Sequence, residues 1–159
     1  MILLIINLSG ASQGISLVND YQENSSLQWN WAMESLKKFP FNENDKVLDV
    51  GCGDGKITAL IAKQVTHGIV IGFDISEKML AHASANFSSD NLLFVQGNAT
   101  SIPFKKQFDK LVSFCTLHWV LKQEQALQSF RSSTTIGLEL GSLVAGGYGA
   151  VKGVLGLTN

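Results

Sequence analysis

Apolar residues in this chain recur with two different periods, and the alternation between them lays out the elements. Trp29, Ala32, Met33 and Leu36 stand at i, i+3, i+4 and i+7, one face of a helix. Ser25 and Ser26 can cap its start, and Pro40 ends it. Val47, Leu48 and Val50 then form a short buried strand bounded by Lys46 and Gly51. A second helix is predicted from the spacing of Ile57, Leu60, Ile61 and Val65. Ile69-Val70-Ile71-Gly72-Phe73 is the next strand, and Ser76 the N-cap of a helix carrying Met79, Leu80, Ala83 and Phe87. Leu92 to Val95 gives a third strand, and Phe108 with Leu111 to Phe114 a fourth. A helix with Leu121, Leu127 and Phe130 follows. Strands that alternate with helices predict an α/β fold, a mostly parallel sheet with helices on both faces. Ligands of such sheets bind beyond the carboxyl ends of the strands.

The two ends of the chain break this pattern. Residues 1–20 begin with an apolar run, Met1 to Leu8, too short to span a bilayer and without the basic start of a signal peptide. They read as a poorly ordered lead-in, and residues 21–132 as the ligand-binding domain. Residues 133–159 hold seven of the fifteen glycines and form an atypical tail. Small residues four apart, as at Gly137/Gly141 and Gly149/Gly153, suit helix packing in a membrane. Glu139 and Lys152 make a spanning helix poor, so no membrane partner is expected. Leu138 to Ala145 offers one further strand at most.

Composition narrows the function. At 159 residues the chain is one domain with room for a core. Twelve basic and thirteen acidic residues leave a net charge of −1, and no basic patch favours nucleic acid. Cys52 and Cys115 suggest neither a disulfide framework nor a metal site, and two free thiols fit a cytoplasmic protein.

The candidate chemistry sits on Asp49-Val50-Gly51-Cys52-Gly53-Asp54-Gly55. Glycines between a strand and a helix let backbone approach a ligand, because no Cβ intervenes. The helix start beyond them offers free N–H groups to an anion. A dinucleotide fingerprint would need a third glycine where Lys56 stands. Asp49 and Asp54 would also repel a pyrophosphate. They suit a ligand with positive charge, such as the sulfonium and ammonium of S-adenosylmethionine (SAM). Asp74, nineteen residues beyond Gly55, closes the second strand where an acid can meet a ribose diol.

D-V-G-C-G-D-G resembles the first motif of the class I SAM-dependent methyltransferases, and Gly72-Phe73-Asp74-Ile75-Ser76 resembles their ribose-binding segment. The resemblance runs from about Tyr21 to Phe130. It is closest to carboxyl O-methyltransferases of the trans-aconitate and juvenile-hormone-acid type. Asn24-Ser25-Ser26-Leu27-Gln28 and Ser113-Phe114-Cys115-Thr116-Leu117-His118-Trp119-Val120 carry that finer match. The resemblance implies a Rossmann-like fold and SAM as cofactor. It places Asp49, Gly51, Cys52, Gly53, Asp54, Gly55, Asp74, Ile75, Asn98, Ala99 and Cys115 at the cofactor. Where the family often has an acid accepting from the adenine amino group, this chain has Asn98, whose oxygen can also accept. A plain turn asparagine is an equal reading. Gln28 and Trp119 would hold a substrate carboxylate as neutral donors. His118 would serve as general base if the acceptor were instead an alcohol or phenol. Without the resemblance, Gln28 reads as an exposed polar residue, and His118 and Trp119 as core or surface.

The reading is therefore a SAM-dependent methyltransferase acting on the carboxylate of a small molecule. The alternative is a non-catalytic SAM-binding fragment. The family's fifth strand, last helix and final hairpin find no counterpart in the glycine-rich tail, so the C-terminal strands are expected to be missing or altered. The uncovered sheet edge would then favour self-association.

Overall fold

The computed structural model describes Trp29, Ala32, Met33, Leu36, Lys37 and residues 40–114 and 116–135. The lead-in, most of the tail, Gln28 and Cys115 lie outside the described residues, as does the side chain of His118. Four strands form one sheet: β1 (Lys46–Val50), β2 (Ile69–Asp74), β3 (Leu92–Gln96) and β4 (Lys110–Val112). Their order is β3-β2-β1-β4 and every pairing is parallel. In register, Val50 lies beside Phe73, and Phe73 beside Val95, so the strand ends meet along one edge.

β1 is flanked on both sides, and this explains its sequence. Val47, Leu48 and Val50 are buried, since helices cover both faces of a parallel sheet. Alternate residues feed different cores. Leu48 and Val50 join Phe73, Leu111, Leu127 and Phe130 on one face. Val47 joins Ile61, Val65, Val70 and Leu36 on the other. Each fully buried Phe or Leu contributes about 1.5–3 kcal/mol. The helix α1 (Lys56–Gln64) lies on the Val47 face, and α2 (Glu77–Asn86) brings Ala83 up to Gly55, where Phe94 of that face also lies. The helix α3 (Gln123–Ser133) covers the Leu48 face with Ala126, Leu127 and Phe130.

Periodicity located the helices better than it located their buried faces. In α1 the buried side chains are Thr58, Ala59, Ile61 and Ala62, with Val65 just beyond, while Ile57 and Leu60 stand at the margin. Thr58 is polar, yet it is fully buried because its hydroxyl has a partner in Asp49. In α2 the buried residues are Leu80 and Ala83, and Met79 is exposed. Ser76 caps that helix as expected, accepting from the Met79 N–H at 3.3 Å. Leu121 belongs to no helix; it stands fully exposed two residues before α3. β4 stops at Val112, so Ser113 and Phe114 already belong to the irregular segment that follows.

After α3 the chain returns to the sheet. Thr134 makes a parallel bridge to Phe108, and the Thr135 N–H donates to the Phe108 carbonyl at 2.8 Å. The further strand expected at Leu138 to Ala145 lies outside the described residues. Among the described residues no helix is long and apolar enough to cross a membrane.

Candidate functional site

At the end of β1 the chain turns through Gly51, Gly53 and Gly55, with φ of 76°, 53° and 80°. All three occupy left-handed backbone that glycine alone adopts at no steric cost. Their surroundings differ. A Cβ on Gly51 would lie 1.9 Å from the Thr116 hydroxyl, and one on Gly55 2.7 Å from Ala83. A Cβ on Gly53 would meet nothing within 4 Å. Two glycines thus serve close packing, and the middle one faces open space.

Beneath this loop lies a set of acids. Asp49 is 1% exposed and accepts a hydrogen bond from the Thr58 hydroxyl at 2.7 Å. Burial pushes its carboxyl up to about 7; the Thr58 bond opposes this, and the charge of Asp74 adds to it. Asp74 braces the loop: one oxygen accepts from the Gly53 N–H at 2.9 Å, the other from the Ser76 N–H at 2.9 Å. A carboxylate has about four lone-pair sites, so each oxygen keeps one for a ligand. Among the described residues neither acid has a basic partner within salt-bridge range. Asp54 differs, since Lys56 pairs with it at 3.0 Å and its carboxylate is thereby occupied at the surface. Cys52 is buried beside Asp49 and Asp74; burial first, then those two charges, push its thiol far above the ordinary value.

Above the strand ends opens a cavity of about 460 Å³, a size that suits a small molecule. Its wall includes Gly51, Asp74, Ile75, Asn98, Ala99 and Trp119, which brings six of the expected site residues together. Asp49, Cys52, Gly53, Asp54 and Gly55 are not on this wall. Ile75, though apolar, is 67% exposed, and Trp119 is 71% exposed on the single turn of 3₁₀ helix from Leu117 to Trp119. The Asn98 oxygen accepts from both the N–H and the hydroxyl of Thr100, each at 2.9 Å, and so caps a second such turn, Ala99–Ser101. Both lone pairs are used there, leaving the amide donors of Asn98 for a ligand. Sequence reasoning missed Gly97, Thr100, Leu121 and Lys122 as wall residues, and named Thr116 and Val120 only within the stretch that carries the family match. Gly97 carried a signal, since it ends β3 where a Cβ would lie 2.1 Å from the Phe73 ring. Gln28 and Cys115 cannot be placed against the cavity, being outside the described residues.

An acidic, glycine-built ledge beside a small-molecule cavity therefore ends the sheet. The family model described as a methyltransferase domain matches residues 47–137, more than half of the chain. The chain is 32% identical to the juvenile hormone acid O-methyltransferase of Bombyx mori over 120 residues, 69% of this chain and 43% of that protein. It is 27% identical to the malonyl-[acyl-carrier protein] O-methyltransferase of Priestia megaterium over 79 residues, 50% of this chain and 29% of that protein. The chain spans less than half the length of these curated relatives. Among solved structures, a SAM dependent methyltransferase from Aquifex aeolicus superposes with a TM-score of 0.63 at 23% identity, covering 77% of this chain and 68% of that one.

Proposed function

This chain belongs to the methyltransferase domain family, and from that premise we propose that it binds SAM at the acidic ledge and methylates the carboxylate of a small acid. The observation that carries the reading is the pair Asp49 and Asp74, both lacking a basic partner among the described residues, beside a cavity open to a small molecule. SAM, when bound, supplies an electrophilic methyl group on a sulfonium.

The residues present suit it. Asp74 keeps acceptor capacity for a diol while holding the Gly53 amide. Gly53 presents bare backbone to open space, which leaves room for a ligand to approach it. Asp49 adds negative charge below the loop without reaching solvent. Ile75 offers an exposed apolar surface for a flat ring. On the acceptor side, a carboxylate is already ionised at neutral pH, so no proton must leave. Neutral donors then hold it without dulling it as a nucleophile, and Trp119 and Gln28 fill that role in this reading. His118 serves as base only if the acceptor is an alcohol or phenol. The names of the two curated relatives, both O-methyltransferases and one acting on an acid, support the carboxylate reading.

The test is calorimetric titration of the purified chain with SAM, followed by transfer of a labelled methyl group to a panel of carboxylic acids. The panel holds a tricarboxylate, a medium-chain fatty acid and a branched unsaturated acid. The expected result is SAM binding and a base-labile ester, reduced by Gln28→Ala and Trp119→Phe and little changed by His118→Ala. Binding without any transfer favours the non-catalytic alternative. Tight NADH binding in place of SAM overturns the reading.

A further inference from the structure

We propose that Thr116 is a positioning residue that fixes the turn carrying Trp119 against the glycine loop. Its hydroxyl proton is shared between two carbonyls, that of Phe114 at 3.0 Å and that of Gly51 at 3.3 Å. Its own carbonyl accepts from the Trp119 N–H at 2.9 Å and so starts the 3₁₀ turn. Its side chain fills the space that the missing Cβ of Gly51 leaves, with its Oγ1 only 1.9 Å from where that atom would stand. Gly51 in turn donates to the Phe73 carbonyl of β2 at 2.6 Å. One residue thus ties the end of β2, the glycine loop and the Trp119 turn, and it stands on the cavity wall itself.

The turn has a second anchor. Leu117 is buried, and its carbonyl accepts from the Gln123 side chain at 3.3 Å. That anchor holds the far side of the turn to α3. Thr116 is what sets its height over the loop. In a reaction governed by alignment of acceptor and donor, a shift of about 1 Å between those two segments can cost on the order of 10²-fold in rate. The inference rests on the cavity being the cofactor site, so cofactor affinity is read separately from the position of Trp119.

The experiment uses the full chain with Trp29→Phe and Trp31→Phe, which leaves Trp119 as the one indole of three. Acrylamide quenching is measured with and without saturating S-adenosylhomocysteine, the demethylated cofactor, whose Kd is obtained by calorimetry. The reporter and its Thr116→Ser variant are expected to show Trp119 shielded on binding. Thr116→Val keeps the side chain's shape without the hydroxyl. It is expected to lose the shielding while Kd stays within about threefold, the scale of one weak neutral hydrogen bond. Should that variant not fold, Thr116→Ala, which also lacks the hydroxyl, is read the same way. Shielding equal to the reporter in a hydroxyl-free variant overturns the proposal. So does a loss of shielding, affinity and melting temperature together, which would mark a merely structural residue. A reporter that binds no S-adenosylhomocysteine sinks the cofactor reading and this inference with it.

Discussion

The two ends of β1 carry the same residue in opposite circumstances. Asp45, just before the strand, is buried with Lys110 at 2.9 Å. It also accepts from the Asn42 N–H at 2.7 Å, while Lys110 reaches the Pro40 carbonyl and lies over the Phe41 ring. Burial alone would raise its carboxyl, but the Asn42 bonds and the Lys110 charge outweigh that and hold it below its ordinary value. Asp49, four residues on, is buried more deeply, with a threonine hydroxyl in place of a cation and a second carboxylate near by. The first end is electrostatically closed. The second keeps two negative groups beside a cavity and bears the cost in a raised pKa, as functional sites commonly do. The difference separates a carboxylate that supports the fold from one suited to a cationic ligand.

The contrast can be broken most directly at Asp74. Asp74→Ala removes the acceptor expected for the cofactor diol and also releases the Gly53 and Ser76 amides. SAM binding should weaken by roughly 2–4 kcal/mol, from charged hydrogen bonds of about 1.5–3 kcal/mol each before non-additivity. Calorimetry on wild type and variant checks it, and equal affinities would remove Asp74 from the site. At the closed end the expectation is reversed. Lys110→Met leaves Asp45 buried without its cation. It should cost about 2–3 kcal/mol of stability, the low side for orphaning a buried ion because Lys110 keeps some exposure. SAM affinity per folded molecule should not change. A loss of affinity at unchanged melting temperature would mean that the two ends are not separable.

How much of this could be read beforehand follows from the kind of signal each feature leaves. The strand-glycine-helix unit at Val47 to Val65 was legible because three constraints coincide there: an apolar strand interrupted only by Asp49, left-handed glycines and a helical period. Asp74 was legible from its place at the end of β2. The burial of Thr58 was not, since a hydroxyl reads as polar until its partner is known. Thr116 left no signal of its own either; its role arises from Gly51, sixty-five residues earlier in the chain. The turn role of Asn98, whose oxygen serves Thr100 twice, was legible as one of its two readings, because asparagine commonly bonds its own backbone two residues on. Asp45 and Lys110 were invisible for the same reason as Thr116: residues far apart in sequence meet only when β4 lies beside β1.

A smaller effect sharpens the comparison through pH. The Asp49 carboxyl stands at about 7 in the folded protein against 3.8 ordinarily, so between those values the folded state holds a proton that the unfolded state has released. Stability from this group is therefore greatest below the ordinary value, falls as pH rises through the window, and is flat above about 7. Asp49→Asn still accepts from Thr58 and has nothing to ionise. It should melt roughly 5 °C above wild type at pH 8, with the gap narrowing toward pH 5. Asp45→Asn at the closed end should instead lower the melting temperature at pH 8, because there the ionised form is the stabilised one. Parallel pH profiles for the two variants would show that Asp49 is no different from the paired acid at the closed end.

The smallest effect is also the most specific to a cationic ligand. Near pH 6.5 the Asp49 carboxyl is substantially protonated, since its pKa stands at about 7. A ligand that brings positive charge to the ledge favours the ionised form. Binding must then release part of a proton, and by linkage affinity must rise as pH increases across the same window. Calorimetric titration with SAM at pH 6.5, in buffers of different ionisation enthalpy, should give apparent enthalpies that change linearly with the buffer term, with a slope of about half a proton released. At pH 8.5 the slope should fall toward zero, because Asp49 is already ionised. Asp49→Asn should have none at either pH, whereas Asp45→Asn should keep the wild-type slope, since a carboxylate already paired has no proton to give. A wild-type slope of zero at pH 6.5 with binding intact would mean that the ligand's charge does not reach Asp49. The acid beneath the loop would then be a feature of the fold alone.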